Sequence, residues 1–446
     1  MNEIIAFIPL VVLIVGAVIT KRIAECLIVA SFLGAVFVYK GDFFQGYIDM
    51  IYDTLSNSSY QFVVIILVGF GALIKLFQES GSFLGLGSLL SRYAKGPKAP
   101  MVISWLAGFI MFVDDYLSTL AISFAMRGTT DINRIPREHL AFQTNLMAAS
   151  VCVVIPFSSW IAFTVGLLTE QGLGYSDYLG AIPYAFYPII VIVLCLLLDV
   201  GIIPKVGPLK KAYARVASGG DVLVKEELAE SLVDIEESEN AKESSALNAL
   251  IPIVVLVVTV ILCDNDLVHG LLATLVVQGI LYISQRIMSV KDFVGYIFEG
   301  AKSMATMLVI ICFAFMLSSA NRTLGFFDIL IRGIGDNVSP TLLPILVFVL
   351  VAGATFATAG YWLMQVIAIP IFIPLAVAMG VNPSIVIAAI MSGVTLGCNL
   401  CFYADPVFMT AAGTGIPNMK LVKLSVPYVL GAGLLAAIGF VVVGLV

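Results

Sequence analysis

Two adjacent carboxylates interrupt a stretch that is otherwise apolar enough to cross a membrane. Asp114 and Asp115 lie inside the run of residues 105–126. A carboxylate at the centre of a bilayer costs about 2.5 to 3.5 kcal/mol on the mildest scales, and such residues usually face a polar cavity or an ion path. Because close carboxylates share protons and carboxylate oxygens suit hard cations, the pair predicts a site for which Na⁺ and H⁺ compete.

Further oxygen ligands for the cation are predicted near the pair and in the second half of the chain. Ser118 and Thr119 follow Asp115 within about one helical turn and offer hydroxyl oxygens. Asp405 lies in a break of an apolar region, precedes Pro406 and has no basic residue nearby in sequence. The alternative for the adjacent pair is an interfacial turn between two short helices, with both carboxylates in water.

The composition identifies the class of protein. Hydrophobic residues make up 60% of the chain and charged residues 12%, and the mean hydropathy is +1.06. Such a chain cannot hide its apolar side chains in a water-soluble globule, so it is a polytopic membrane protein. The net charge of −6 reflects acidic residues concentrated between Asp221 and Glu243, and nothing indicates a nucleic-acid partner. Seven cysteines scattered through apolar stretches imply no disulfide framework.

Apolar runs of nearly spanning length predict most of the transmembrane helices. Crossing the hydrocarbon core takes about 20 residues, so the shorter runs need tilting or a flanking turn. The runs are 4–19, 23–38, 62–77, 181–198, 247–263, 267–283, 305–318, 342–356, 363–379 and 426–446.

Two other apolar regions are broken in the middle. Residues 140–155 are followed by Pro156 to Ser159, and residues 385–396 are followed by a polar segment, 397–406. Non-helical backbone survives at membrane depth only where protein or a water-filled cavity satisfies it. We therefore predict a re-entrant hairpin with a polar tip at each of these places.

The order of these features repeats along the chain. Each half contains spans, a broken span and a hairpin; the broken spans are predicted at Asp114 and Asp115 and at residues 356–362. The predicted units are a first transmembrane repeat over 1–204, a charged cytoplasmic linker over 205–246 and a second transmembrane repeat over 247–446.

Basic residues orient the halves. Lys205, Lys210, Lys211 and Arg215 place the linker in the cytoplasm by the positive-inside rule. The N-terminus, an acidic loop over 41–53 and the Asp264 turn then lie outside, so the halves start on opposite faces. Such inverted repeats place transporter sites near the midplane. Arg127, Arg134 and Arg137 would also lie outside, against the rule, with Asp131 and Glu138 as local salt partners.

The chain resembles the NhaC family of sodium/proton antiporters, within the ion transporter superfamily. The resemblance rests on Phe112-Val-Asp-Asp-Tyr116, on Arg137-Glu-His-Leu-Ala141 and on Pro156 with Ser158-Ser-Trp160. It covers most of the chain and is dense over 68–168. It implies a cation-coupled secondary transporter, and some family members exchange organic acids or amino acids.

Departures from the family pattern bear on the substrate. Asn145 stands where the family usually has Asp, and Ser150 stands where it usually has Pro. The second tip keeps Gly397 and Asp405 but lacks the family's Asp-His pair and serines, and Thr358 is a remnant of a Thr-rich break. Fewer titratable groups weaken the case for plain sodium/proton exchange and favour a bulkier, partly apolar substrate.

Polar residues near the breaks are the predicted substrate ligands. Ser158 and Ser159 precede a half-helix, whose N-terminus favours an anionic group. The full predicted set is Asn145, Ser158, Ser159, Thr358 and Asn399. The alternative is that these residues are ordinary polar contacts between transmembrane helices.

Other function classes are disfavoured by the motifs. The chain has no His-Glu-x-x-His sequence and no P-loop, so a membrane enzyme is not expected. Cys398 and Cys401 have metal-site spacing, but only two histidines accompany them, so no metal beyond Na⁺ and no cofactor are predicted. A channel also uses polar breaks, and saturable, gradient-dependent flux would exclude it.

The resulting prediction is an all-α polytopic protein of the plasma (inner) membrane, with two inverted-topology repeats, broken helices and re-entrant hairpins. It transports by alternating access, with Na⁺ or H⁺ bound at the carboxylates. The alternative is sodium-coupled transport or exchange of an amino acid or small carboxylate. The expected partners are Na⁺ or H⁺, membrane lipid and, in the alternative, that solute; a homodimer is left open.

Overall fold

A computed structural model describes residues 3–20, 22–223, 242–263, 266–326, 329, 339–402 and 404–445. Within these ranges the regular structure is helical and contains no strand. Eight helices are long and apolar enough to cross a membrane, or ten if each of two bent pairs is counted as one span. The fold class predicted from composition and apolar runs is therefore confirmed.

The first half contributes helices up to the start of the linker. Its helices are α1 (Glu3–Thr20), α2 (Ile23–Tyr39), α3 (Phe43–Ser56), α4 (Ser58–Glu79), α5 (Ser82–Ser91), α6 (Ala99–Ile110), α7 (Asp115–Ile132), α8 (Arg137–Val154), α9 (Ser159–Thr169), α10 (Tyr175–Ala181), α11 (Phe186–Asp199) and α12 (Gly207–Ala217).

The second half continues after the linker. Its described helices are α13 (Leu247–Leu262), α14 (Leu267–Ser284), α15 (Val290–Ser303), α16 (Ala305–Thr323), α17 (Leu343–Thr358), α18 (Tyr361–Ala378), α19 (Pro383–Leu400), α20 (Asp405–Thr414) and α21 (Asn418–Leu445). Each of the ten predicted runs coincides with one of these helices or, for 181–198, with α11 and the turn before it.

The acidic loop predicted over residues 41–53 is wrong. This segment forms a short 3-10 turn and then α3, which buries Gly46, Met50 and Thr54 on one face. The spacing of four residues is that of a helical stripe, and Met50 packs in a cluster with Ala35 and Met316. The acidic residues Asp49 and Asp53 lie on the exposed side of the same helix.

The segment around Asp114 is a hairpin rather than a broken span. The chain enters α6 beside the linker, since Lys98 Nζ donates a 2.5 Å hydrogen bond to Val200 O. It leaves α7 on the same side, since Arg134 donates to Val216 O at the end of α12. Both ends of the pair therefore lie on the face that carries α12, called the linker face below, and residues 111–114 form the tip.

The segment around Pro156 is conversely a broken span rather than a hairpin. The axes of α8 and α9 differ by only 44°, so the chain continues across the bundle. Helix α8 begins on the linker face, while Thr169 at the end of α9 lines a cavity with Asp266 at the start of α14. Because α13 crosses from the linker to that turn, the two ends of the pair lie on opposite faces.

The second half has the same series with the faces exchanged. Helix α17 begins near the end of α21, where Thr341 contacts Gly444, and α19 begins beside Asp177, whose carbonyl accepts from Ser384. Helices α17 and α18 therefore form a hairpin from the face opposite the linker. Helix α20 ends on the linker face, where Thr414 O accepts from Arg137. This exchange supports an inverted repeat.

The breaks in the second half are shorter than predicted. Helix α19 continues to Leu400, so its break with α20 covers only residues 401–404. Gly397 lies inside the helix, where an added Cβ would come within 2.5 Å of Ala352 O, so this glycine permits close packing of α19 on α17. The break between α17 and α18 is residues 359–360, with Ala359 at a φ of 55°.

Two consecutive residues at the start of α8 join the linker to both halves. Arg215 on α12 donates to both carboxylate oxygens of buried Glu138 at 2.8 and 3.0 Å, and Lys420 on α21 contacts the same group at 2.9 Å. Tyr213 contacts His139 Nδ1 at 2.7 Å, and burial raises the pKa of this phenol. The start of the predicted linker is therefore a docked helix.

This docking corrects the placement of the loop between α7 and α8. Arg134 and Arg137 lie on the linker face, so they obey the positive-inside rule instead of opposing it. Arg137 pairs with Asp131 as expected, at 2.7 Å, whereas Glu138 pairs with Arg215 of the linker. Asp264 and residues 224–241 of the predicted linker lie outside the described residues.

Candidate functional site

The four breaks in the backbone meet at one place. The tip of the first hairpin touches the break of α8 and α9, since Ser159 N donates to Val113 O at 3.0 Å. The ring of Trp160 stacks on Tyr361 of the second hairpin, with centroids 5.0 Å apart. Tyr116 donates to Asp405 at 3.2 Å, which brings in the last break. Polar groups from both halves thus converge where helices stop.

Asp114 closes the tip of the first hairpin. Its side chain is 6% exposed, and its Oδ2 accepts a hydrogen bond from Ser159 Oγ at 3.1 Å. This contact joins a predicted cation ligand to a predicted substrate ligand. The structure therefore places Ser159 beside the carboxylate pair.

Asp115 is the most enclosed carboxylate of the site. It is fully buried at the first position of α7, where the helix dipole favours negative charge. Trp160 Nε1 donates to its Oδ1 at 3.0 Å, while its Oδ2 has no hydrogen-bond partner among the described residues. Thr119, one turn further along, is also buried, and its Oγ1 likewise lacks a partner within the described ranges. Two oxygen atoms are thus available to a cation.

Ser118 is less suited to be a cation ligand than its position in the sequence suggests. Its hydroxyl donates to the backbone carbonyl of Asp115 at 3.1 Å. The oxygen is therefore used inside the first turn of α7.

Asp405 differs from the adjacent pair in its surroundings. It begins α20, and its side chain is exposed. Tyr116 donates to its Oδ2, and the Tyr116 hydroxyl also contacts the hydroxyl of Tyr361. The structure therefore brings Asp405 to the site through a tyrosine immediately after Asp115.

Two of the predicted substrate ligands use their hydroxyls within their own breaks. Ser158 is the N-cap of α9: it accepts from Ile161 N at 3.3 Å and donates to Cys152 O at 2.5 Å. Thr358 donates to Ala354 O at 2.8 Å and accepts from Gly360 N at 3.2 Å. Both residues shape the ends of half-helices.

The two predicted asparagines are in contrasting environments. Asn399 is buried, and its Nδ2 donates to the hydroxyl of Tyr187 at 3.0 Å. Asn145 is 1% exposed in the middle of α8, and neither of its amide atoms has a partner among the residues that the structure describes. Buried amides are normally hydrogen-bonded, so Asn145 needs a ligand or a water molecule.

Sequence reasoning assigned no role to Trp160 or Tyr116. Both belong to the motifs that carry the family resemblance, and each lies next to a predicted site residue. Their indole and phenol hydrogens supply the donors that orient Asp115 and Asp405. One signal in the sequence could have identified Trp160 and Tyr116: each is adjacent to a predicted ligand inside a helix break.

The histidine, cysteine and acidic residues of the described ranges form no group of three or more that could hold a metal ion. Cys398 and Cys401 are both buried thiols at the end of α19. The oxygen atoms around Asp115 are the groups that suit a monovalent hard cation.

Similar proteins cover nearly the whole chain. An uncharacterised protein of Haemophilus influenzae is 23% identical over 98% of this chain and 90% of its own length. The YdaH transporter of Alcanivorax borkumensis has a solved structure that superposes with a TM-score of 0.66, with 16% identity over 90% of this chain and 89% of that one. The second likeness establishes a shared fold.

A family comparison covers most of the chain after the first hairpin. Residues 151–445, about two thirds of the chain, match the Na⁺/H⁺ antiporter family. This range includes the end of α8, its break with α9 and the whole second half, whereas Asp114 and Asp115 lie before it. With its many membrane-spanning helices, the chain is a multi-pass membrane transporter rather than an enzyme. It belongs to the Na⁺/H⁺ antiporter family of cation-coupled transporters.

Proposed function

We propose that the chain is a secondary active transporter of the NhaC-like antiporter class, in which Na⁺ or H⁺ binds at Asp114 and Asp115. The observation that carries the proposal is the pair of buried carboxylates at the meeting point of four helix breaks. Asp115 Oδ2 and Thr119 Oγ1 are the oxygen atoms left for a cation. We further propose that the protein resides in the plasma (inner) membrane with the linker in the cytoplasm.

The chemistry of exchange follows from burial. Two neighbouring carboxylates in a low-dielectric interior cannot both carry charge without a counterion, so a bound cation or proton must offset at least one of the two charges. Na⁺ and H⁺ then compete for the same oxygen atoms. Because the occupied site carries less net charge than the empty one, the change of access from one face to the other is easier when the site is loaded, and this couples the two fluxes.

Alternating access uses the contact between the halves. Tyr361 on the second hairpin packs on Trp160 of the first half and contacts Tyr116. Both partners lie next to Asp114 or Asp115, so a movement of one half relative to the other changes the shell around the bound cation. Inverted repeats commonly move in this way around a fixed midplane site.

A second candidate is sodium-coupled transport of an amino acid or small carboxylate. Trp362 Nε1 is buried without a hydrogen-bond partner in the described part of the chain, and its ring packs against Trp160 and Phe163. A bare cation has no use for this donor, whereas a carboxylate could accept from it. A counterflow screen of sodium, protons, amino acids and small carboxylates in proteoliposomes distinguishes the two functions.

The direct test replaces each carboxylate with its uncharged isostere. Asp114→Asn and Asp115→Asn should reduce cation-dependent flux in proteoliposomes to the level of empty vesicles, because the replaced site no longer requires a counterion. Size-exclusion profiles of the purified variants control for folding. Full flux in both variants would refute the assignment of the site.

A further inference from the structure

A row of buried polar side chains continues from the carboxylate pair toward the linker face. Asp115, Thr119 and Ser123 are spaced four residues apart on α7, so they lie along one face of the helix. Each is 0% exposed. Within the described residues, Asp115 Oδ2, Thr119 Oγ1 and Ser123 Oγ all lack a hydrogen-bond partner. The row extends about 12 Å at 1.5 Å per residue.

Other buried helical hydroxyls, such as those of Ser104, Thr144 and Ser392, also lack a described partner, but Thr119 and Ser123 continue the face of a buried carboxylate. Buried serine and threonine hydroxyls in helices ordinarily donate to the carbonyl four residues before them. Thr130 does so to Met126 O at 3.1 Å, and Thr410 does so to Pro406 O at 2.8 Å. Thr119 and Ser123 do not, although they lie in the same kind of helix. The hydroxyl oxygens of Thr119 and Ser123 are thus not used by the backbone of α7.

Helix α8 turns a further polar side chain toward the row. Asn145 and Cys152 are seven residues apart and share a face of α8. Cys152 Sγ donates to Phe112 O at the hairpin tip, so this face is directed at the first hairpin. Helices α7 and α8 run antiparallel, which places Asn145 about 10 Å nearer the linker face than Cys152, at the depth of the row. Its amide is the group left without a described partner.

Helix α20 forms the third wall and closes the row. It runs beside α7 from the Tyr116 to Asp405 hydrogen bond down to Gly413, which faces Ser123. A Cβ on Gly413 would lie 2.5 Å from Ser123 Cβ, so the two helices touch there. This contact separates the row from the linker face.

An arginine holds the closed ends together. Arg137 Nε and Nη2 donate to the carboxylate of Asp131 at the end of α7, at 3.0 and 2.7 Å. Its Nη1 donates to Thr414 O at the end of α20. The same side chain therefore ties α7 to α20 just beyond the Ser123 and Gly413 contact.

We propose that Asp115, Thr119, Ser123 and Asn145 line the inner half of a Na⁺ pathway between the carboxylate pair and the linker face, closed here at the contact of Ser123 with Gly413. The inference rests on the proposed function and adds the route by which Na⁺ moves between the carboxylate pair and the linker face. Carboxylate, hydroxyl and amide oxygens suit a hard cation, and the unpartnered atoms would solvate it as it passes. Opening requires α7 and α20 to separate.

The test is access to Ser123 from the linker face. Ser123→Cys in the full chain is reconstituted and exposed from that face to a small cationic thiol reagent, and mass spectrometry measures modification at residue 123. Ala121→Cys is the matched control, because Ala121 is small and buried on α7 but off the row. The pathway predicts modification at 123 at least about tenfold faster than at 121, and slower modification in saturating Na⁺.

Equal rates at the two positions would overturn the pathway, as would modification at 123 that Na⁺ does not slow, since that result describes a water column without a cation. A second variant, Asn145→Leu, should lower Na⁺ flux about tenfold or more while equilibrium Na⁺ binding persists. Unchanged flux in Asn145→Leu would contradict the pathway but not the proposed function. Wild-type flux in Asp115→Asn would instead remove the proposed function, whatever the labelling shows.

Discussion

The two halves of the site share a backbone design and differ in chemistry. In the first half, a hairpin tip and a broken span bring together Asp114, Asp115, Ser159 and Trp160, all buried. The corresponding elements of the second half contribute one carboxylate, Asp405, and it is exposed. The second half also contributes an aromatic residue, Tyr361, which packs against the first half at Trp160 and Tyr116.

Under the proposed function, this difference assigns cation binding to the first half and covering of the site to the second half. The first half holds oxygen atoms in a fixed, enclosed arrangement, as binding of a dehydrated cation requires. The second half supplies Tyr361, which covers Trp160 and reaches Tyr116 without adding buried charge. Exact repeat symmetry would predict two equal cation sites, whereas the proposal has one cation site in the first half and an aromatic cover from the second half.

The largest expected contrast is between the carboxylates of the two halves. Asp115→Asn should abolish Na⁺-dependent flux, because the fully buried charge is the one that a cation must neutralise. Asp405→Asn should leave measurable flux, because an exposed carboxylate does not need a counterion. Initial rates in proteoliposomes compare the two. Equal loss of flux in both variants would mean that the halves share the cation.

A smaller contrast separates the two tryptophans of the site. Trp160→Phe removes the donor to Asp115 Oδ1 and should raise the half-saturating Na⁺ concentration about tenfold or more, since a hydrogen bond to a charged group contributes roughly 1.5 to 3 kcal/mol. Trp362→Phe is the matched control, because its indole nitrogen has no partner in the described chain. A change in Na⁺ dependence only in Trp362→Phe would contradict the site as described.

The smallest expected effect concerns the link between the halves. Tyr116→Phe removes the hydrogen bond to Asp405 and should change the half-saturating Na⁺ concentration by about fivefold, because the net contribution of a typical hydrogen bond is roughly 0.5 to 1.5 kcal/mol. The same change made in Asp405→Asn should have less effect, since the charged acceptor is already gone. Additive effects of the two changes would show that they act independently.

The sequence predicted the elements better than their connections. Apolar length predicted the spanning helices, and the adjacent carboxylates lie where four helix breaks meet. The roles of hairpin and broken span were exchanged because local sequence shows where a helix breaks but not whether the chain turns back. Only long-range contacts, such as Arg215 with Glu138, reveal which ends share a face.

The contacts within the candidate site could not be predicted from the sequence, for a similar physical reason. Asp114 and Ser159 were each identified from their own surroundings, but their 3.1 Å contact depends on the packing of the hairpin against the broken span. Ser158 was predicted from its place before a half-helix and Thr358 from a break in the family pattern, and neither signal distinguishes a ligand from a residue that caps a helix end. The caps became visible only with the geometry of the half-helix ends.

Cation binding at Asp114 and Asp115 is tested most directly by equilibrium Na⁺ binding to the purified protein without any gradient. Calorimetric titration of the wild type should show saturable binding that weakens as the pH falls, because protons and Na⁺ compete for the same carboxylates. The double variant Asp114→Asn with Asp115→Asn should bind no Na⁺ while keeping its size-exclusion profile. Wild-type Na⁺ affinity in that folded double variant would contradict the account.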